Sequence, residues 1–337
     1  MRQIWISRPG PPEVLEVRTA PDPDAGPGEV RIRVHAAGIN FADLMARVGL
    51  YPDAPKLPCV VGYEVSGTVD QVDAGVTHCA VGDRVMAMPR FGGYTDTLVV
   101  SGEQVFRIPA AMTLEEAAAL PVVYLTAYTM MLFTGTLRPG SSVLIHSAAG
   151  GVGLAAIQLA RTRGCTILGI ASAGKHDFLK AQGVAHTIDS SGDYGPAVRA
   201  IVGDKGVDLI LDPVGGKSWT TGYDLLGPCG RLVAFGLSAV ASGKTRSWLR
   251  AGAQVLKVKK ISPMRLMDDN KTVSGTNMGH LFGRLDLLKP QFAALLAMYE
   301  AGEIKPHVDR TFRFDEAALA HHHLHDRKAI GKVLLVP

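Results

Sequence analysis

The stretch Ser142–Arg161, SVLIHSAAGGVGLAAIQLAR, constrains the fold more than any other part of the chain. An apolar run, Val143-Leu144-Ile145, leads into the small-residue turn Ala148-Ala149-Gly150-Gly151-Val152-Gly153. Leu154, Ile157 and Leu159 then recur at the spacing that buries one face of a helix. Strand, tight turn and helix in that order read as the entry to a dinucleotide site, the alternative being a glycine-rich turn in an ordinary α/β protein. Gly150 lets the backbone approach a pyrophosphate with no Cβ in the way, and Gly153 lets helix and strand pack closely. The N–H groups of the first helical turn and the positive end of its dipole face the phosphates. Ala148 stands where such turns carry their first glycine, so the surrounding strand and helix carry the reading more than the bare motif.

The next strand bears on which nicotinamide cofactor binds. Thr166–Ala171 is apolar and ends at Ser172-Ala173-Gly174-Lys175. NAD sites place an Asp or Glu about 20 residues beyond the glycines to hold the ribose hydroxyls. Here that place falls near Ser172, and the first carboxylate is Asp177. Ser172 can donate to a 2′-phosphate and Lys175 can neutralise it, so the residues favour NADPH over NADH. The alternative is that Lys175 is only a solvated residue opening a helix.

Composition bounds the rest. The chain has 337 residues, 47% hydrophobic and 20% charged, which suits two globular domains with an ample core. Its net charge of +4 shows no basic block, which argues against a nucleic-acid partner. Cys59, Cys79, Cys165 and Cys229 are scattered and read as free thiols of a reducing compartment. The N-terminal residues lack the apolar core of a signal peptide, and no run approaches the ~20 apolar residues of a membrane span. A cytoplasmic location is expected.

The first ~120 residues read as β-rich, with alternation in Glu29–His35 and strands expected over 63–72, 84–88 and 95–100. Thr113 and Glu116 form an S/T-x-x-E start for a helix leading into 125–133. From Ser142 the rhythm becomes strand–helix alternation, with strands over 143–146, 166–171, 186–189, 209–212, 231–235 and 272–276. That rhythm predicts a doubly wound α/β sheet. The less regular region Gly236–Gly283 suits a lid or an interface, and a helix over 290–301 and a strand over 332–336 finish the chain.

Across essentially its whole length the sequence resembles a medium-chain dehydrogenase/reductase of the zinc-free quinone-oxidoreductase branch. The matching segments are Ala37–Asp43 (AGINFAD), Gly49–Pro52 (GLYP), Gly62-Tyr63-Glu64, Val81–Val85 (VGDRV), Leu120–Tyr128 and the dinucleotide turn. Ser172–His176, Ile304–His307 and the ending Gly331–Pro337 are similar to the vesicle amine transport protein-like subgroup. The resemblance implies a GroES-like β-rich catalytic domain (1–123 and 280–337), a Rossmann domain (124–279) and an active site in the cleft between them. It also implies a homodimer.

The same resemblance bears on metal. Zinc-using relatives carry a cysteine and a histidine where this chain has Asn40 and Tyr63, and neither is a normal zinc ligand. The lobe with four closely spaced cysteines is also missing. No metal is expected, and hydride acceptors that are already electrophilic, quinones or α,β-unsaturated carbonyls, are favoured. His321-His322-His323 and His325 read as a solvated helix, with adventitious metal binding as the alternative, since neighbours on a helix point in different directions and four ligands cannot converge from there.

Asn40 either bonds locally or lies near the nicotinamide and the acceptor, and Asp43 reads as a helix cap. Tyr51 and Tyr63 are the other catalytic candidates, Tyr51 as donor to an enolate or as a stacking surface. For the cofactor, the resemblance implies Asn40, Thr126, Ala149, Gly150, Gly151, Val152, Ser172, Lys175, Ser190, Phe235 and Gly236. Arg327 and Lys332 would reach the adenosine phosphate or be ordinary surface charges. Ser190 replaces a tyrosine found in many relatives. The resulting expectation is NADPH-dependent reduction of a small-molecule quinone or conjugated carbonyl. An enoyl-thioester reductase of a biosynthetic pathway and a non-catalytic NADPH-binding or sensing protein stand as alternatives.

Overall fold

The computed structural model describes residues 1–241, 258 and 261–337. Most of the central part of the expected lid or interface segment, 242–257 and 259–260, lies outside the described residues. The described residues form two compact units. One holds Met1–Leu125 and Met278–Pro337; the other runs from Thr126 to Asn277.

The second unit is built on a six-stranded parallel sheet. Its strands are Ser142–His146, Thr166–Ala171, His186–Asp189, Val207–Asp212, Leu226–Ala234 and Thr272–Gly275. Counted along the chain, they lie side by side in the order 3-2-1-4-5-6. Helices Gly151–Arg161, His176–Ala181, Tyr194–Val202 and Lys217–Leu225 make the crossovers. Leu144, Leu168, Ile210, Tyr223 and Leu232 are buried together in its core. The strands read as unbroken apolar runs because both faces of such a sheet are covered. Strand order reverses between Ser142–His146 and Val207–Asp212, and ligands of these sheets bind outside the strand ends at that point.

The first unit is β-rich. Strand Glu29–Gly38 lies at the centre of a seven-stranded sheet and pairs with Val65–Val72, Thr97–Ser101 and the C-terminal strand Lys332–Val336. Val30, Ile32, Val34 and Ala36 point inward from it, as the alternation predicts. The pairing of Leu334 with Gly38 brings the last residues of the chain beside the segment that follows Gly38.

Several elements differ from expectation. The strand expected from residue 63 starts at Val65, because Gly62 (φ +102°) turns the chain and its N–H is taken by Asp43 Oδ1 at 3.1 Å. Thr113 and Glu116 do cap a helix reciprocally, but it ends at Ala119, and Pro121 opens a second helix, Pro121–Tyr128. Proline suits a first helical position because it lacks an N–H that would be unpaired there. The late helix spans Leu285–Glu300 with Pro290 inside it, where the missing N–H removes only one bond of its ladder.

Candidate active site

In the second unit the turn Ser147–Gly150 leaves strand Ser142–His146 and delivers Gly150 to the N-terminus of helix Gly151–Arg161. The Gly150 N–H donates to the Ser147 carbonyl at 2.9 Å, and the Ala148 N–H donates to Ile170 in the next strand at 3.0 Å. Ala148 and Ala149 are buried, whereas Gly150, Gly151 and Val152 are half-buried at the helix start. A Cβ on Gly153 would lie 2.5 Å from the carbonyl oxygens of both Ser147 and Ala148. Only glycine lets the helix sit this close to the turn. That close approach fixes the path of the turn at the helix N-terminus.

Ser172 follows strand Thr166–Ala171 and is exposed, as is Ser190 after the neighbouring strand. The Ser190 N–H donates to Ala171 at 3.0 Å, so these two strand ends lie together. The Lys175 N–H donates to the Ser172 carbonyl at 2.9 Å, which places Lys175 in the same turn. Asp189 sits nearby, but its carboxylate holds the Ser191 N–H and hydroxyl at 3.1 and 2.8 Å. Phe235 and Gly236 follow strand Leu226–Ala234, with the Phe235 N–H on the Asp212 carbonyl at 3.2 Å. Thr126 is buried on helix Pro121–Tyr128.

Two further residues at the reversal point carry no motif. His146 and Asp212 end the two central strands, fully buried, with His146 Nε2 3.8 Å from Asp212 Oδ2. Asp212 also accepts from the Val214 N–H at 2.6 Å and the Ser218 hydroxyl at 2.5 Å. Burial holds the His146 pKa below its ordinary value, with Asp212 opposing. Their place as last residues of adjacent central strands was the available signal.

In the first unit, strand Glu29–Gly38 runs into Asn40, which precedes helix Phe41–Arg47. The Asn40 N–H donates to Asp43 Oδ2 at 2.7 Å: the helix begins before Asp43, not after it, so Asn40 is the N-cap and Asp43 its partner in the first turn. Asp43 is fully buried, and burial pushes its pKa up to about 7 against the opposing pull of the Asn40 N–H and of Lys332. Asn40 Nδ2 donates to Glu64 Oε1 at 2.8 Å, and Lys332 Nζ donates to Asn40 Oδ1 at 2.6 Å. Lys332 also pairs with Glu64 at 2.5 Å. Lys332, expected at the adenosine phosphate or on the surface, is instead 3% exposed with its ammonium spent on Asn40 and Glu64. Arg327 is exposed in the turn after helix Ala317–His325, with φ +58°. The structure thus joins Asn40 to Lys332.

Tyr63, beside Glu64, is buried in an aromatic cluster. Its ring centroid is 6.4 Å from Tyr51, 5.2 Å from Phe91 and 5.9 Å from Phe282. The Tyr63 hydroxyl has no hydrogen-bond partner of ordinary geometry among the described residues, and the Tyr51 hydroxyl is the side-chain group that acts on it. Burial, reinforced by the Asp43 carboxylate, raises the Tyr63 pKa well above its ordinary value, so the phenol is a neutral donor.

The histidine tract is corrected in one respect. His321 is fully buried and hydrogen-bonded to the Tyr94 hydroxyl at 3.3 Å, because helix Ala317–His325 packs that face on the core. His322 and His323 pair with Glu13 and Asp309. Among the described residues no group of three or more His, Cys, Asp or Glu is placed to hold a metal. No helix among them is long and apolar enough to cross a membrane.

Residues 26–110 match the alcohol dehydrogenase GroES-like domain, and residues 182–335 match the zinc-binding dehydrogenase family. The human synaptic vesicle membrane protein VAT-1 homolog is 44% identical over 96% of this chain and 82% of its own length. The crystal structure of human VAT-1 homolog-like protein superposes with a TM-score of 0.87 at 34% identity, over 100% of this chain and 98% of that one. Escherichia coli quinone oxidoreductase complexed with NADPH gives a TM-score of 0.88 at 29% identity, over 100% of both chains.

The zinc in that family description does not fit the donors present. The Asn40 amide oxygen is held by an ammonium, which would repel a metal cation, and Tyr63 offers a neutral phenol among aromatic rings. The GroES-like β-rich unit, the Rossmann sheet order and these relatives together place the chain in the medium-chain dehydrogenase/reductase superfamily of oxidoreductases, in the subgroup of the VAT-1 homologues.

Proposed function

We propose that this chain is an NADPH-dependent reductase of quinones or α,β-unsaturated carbonyls that works without a catalytic zinc. The observation that carries this reading is the fate of the two metal-ligand positions. Asn40 is tied into an ammonium–carboxylate network, and Tyr63 into an aromatic cluster with a spare hydroxyl donor.

NADPH, when bound, supplies the hydride. The Ser147–Gly151 turn and the N–H groups of Gly151 and Val152 would hold its pyrophosphate, and Ser172, Lys175 and Ser190 its 2′-phosphate. Thr126, Phe235 and Gly236 are assigned to the nicotinamide half. On the acceptor side, the rings of Tyr51, Tyr63, Phe91 and Phe282 offer flat surfaces of the kind conjugated acceptors stack on. The Tyr63 hydroxyl, which has no partner of ordinary geometry among the described residues, would donate to the acceptor oxygen where negative charge develops. A conjugated acceptor delocalises that charge itself, so the missing Lewis acid is least costly for this substrate class.

The test is NADPH and NADH oxidation against a quinone, a 2-alkenal and a crotonyl thioester, with a chelator present. Turnover selective for NADPH and insensitive to chelation supports the reading. Preference for the thioester would move the assignment to an enoyl-thioester reductase. Cofactor binding with no turnover on any acceptor would overturn it in favour of a binding or sensing protein.

A further inference from the structure

One buried ion pair of the first unit has no role in the chemistry above. Glu64 and Lys332 are 0% and 3% exposed, with Nζ 2.5 Å from Oε1. Desolvating two such ions costs several kcal/mol for each, and an apolar pair of similar volume is often at least as stable. Stability is therefore a poor reason for the pair to be there.

Its third member is Asn40. Lys332 Nζ donates to Asn40 Oδ1 at 2.6 Å, while Asn40 Nδ2 donates to Glu64 Oε1 at 2.8 Å. Glu64 is itself anchored through Oε2, which accepts the Val122 N–H at 2.8 Å. Turning the Asn40 amide over would set its NH2 group against the ammonium and its oxygen against the carboxylate. Two favourable contacts would become two repulsive ones in a low-dielectric interior. The Asn40 backbone is held as well, by its N–H on Asp43.

The lock leaves a defined remainder. Oδ1 faces the Lys332 ammonium and the first turn of helix Phe41–Arg47, whereas the second Nδ2 hydrogen has, among the described residues, only the Gly38 carbonyl at 3.5 Å, the outer limit of a bond. We propose that Lys332 is a positioning residue acting through Asn40. Its ammonium, held by Glu64, fixes the polarity of the Asn40 amide and so decides which group of a bound nicotinamide or acceptor Asn40 can take. The catalytic consequence rests on the reductase reading; the lock itself is a property of the chain.

The sequence contains three asparagines, Asn40, Asn270 and Asn277, so selective 15N-asparagine labelling gives three side-chain amide signals. The signal lost in Asn40→Ala identifies Asn40. In the unmodified protein it should be one sharp, slowly exchanging pair. In Lys332→Met it should broaden or split into two sets while the backbone spectrum is retained. In parallel, kcat for the acceptor should fall on the order of 10²-fold. Lys332→Met should cost almost nothing further in an Asn40→Ala background. The double variant Glu64→Gln/Lys332→Met removes both charges, so it should recover melting temperature but not kcat. It carries the same amide test if Lys332→Met alone does not fold. An unchanged Asn40 signal, or losses that multiply in the Asn40→Ala background, would overturn the proposal. An unmodified protein with no turnover would remove the reductase reading alone, and the amide spectra would still decide the lock.

Discussion

A Cβ placed on Gly38 would lie 2.6 Å from Glu64 Oε1, and 2.7 Å from the carbonyl oxygen of Ala118. The backbone at the end of strand Glu29–Gly38 thus passes directly against the carboxylate that organises Asn40 and Lys332. Gly38→Ala should destabilise the protein by about 1–3 kcal/mol through overpacking. Because the displaced group is a buried carboxylate, acceptor turnover should fall as well. Urea unfolding together with steady-state kinetics measures both. A variant as stable and active as the unmodified protein would show that this contact is not tight.

Tyr63→Phe removes a buried hydroxyl that has no partner among the described residues. Deleting an unsatisfied polar group costs little or stabilises, so the melting temperature should hold or rise. If the hydroxyl donates to the acceptor, kcat/KM should drop by roughly 10- to 100-fold, the value of one hydrogen bond to a charged group. Stability and activity moving in opposite directions is the signature to look for. Loss of stability with unchanged kcat/KM would assign the hydroxyl a structural partner.

Cofactor choice should reside in the turn after strand Thr166–Ala171. Lys175→Ala should weaken NADPH binding by about tenfold or more, the scale of one charge-assisted bond, and leave NADH unaffected. Ser172→Asp should shift preference toward NADH, since a carboxylate there suits ribose hydroxyls and repels a 2′-phosphate. Titration of cofactor fluorescence with each variant reads this out. Equal losses for the two cofactors would remove Ser172 and Lys175 from phosphate recognition.

Asp43 makes stability depend on pH near neutrality. Its folded pKa, about 7, lies above its ordinary 3.8, so the folded state binds the proton more tightly than the unfolded chain does. That contribution is complete below about pH 4 and is lost as pH rises through 7. Melting temperatures from pH 5.5 to 8.5 should therefore fall more steeply for the unmodified protein than for Asp43→Asn. Parallel profiles would mean that Asp43 stays ionised throughout.

The strand–turn–helix unit of the Rossmann sheet was legible in the sequence because its parts are contiguous. Ser142–Arg161 contains the strand, the turn and the helix, and local sterics at Gly150 and Gly153 decide their shape. The parallel sheet followed from the strand–helix rhythm, and the helix cap at Thr113 from a four-residue pattern. Asn40 and Tyr63 were visible as departures from a metal-binding pattern, and family resemblance supplied that pattern. The Lys332 environment was not legible. Asn40 and Lys332 are 292 positions apart, and only the antiparallel pairing of the C-terminal strand with Glu29–Gly38 brings them into contact. Likewise His146 and Asp212 meet because two strands distant in sequence are neighbours in the sheet. Local sequence determined the elements and the backbone cradle, whose geometry depends on near neighbours along the chain. The tertiary structure decided the electrostatics: whether a lysine is a surface charge or a buried partner depends on what strand pairing places around it.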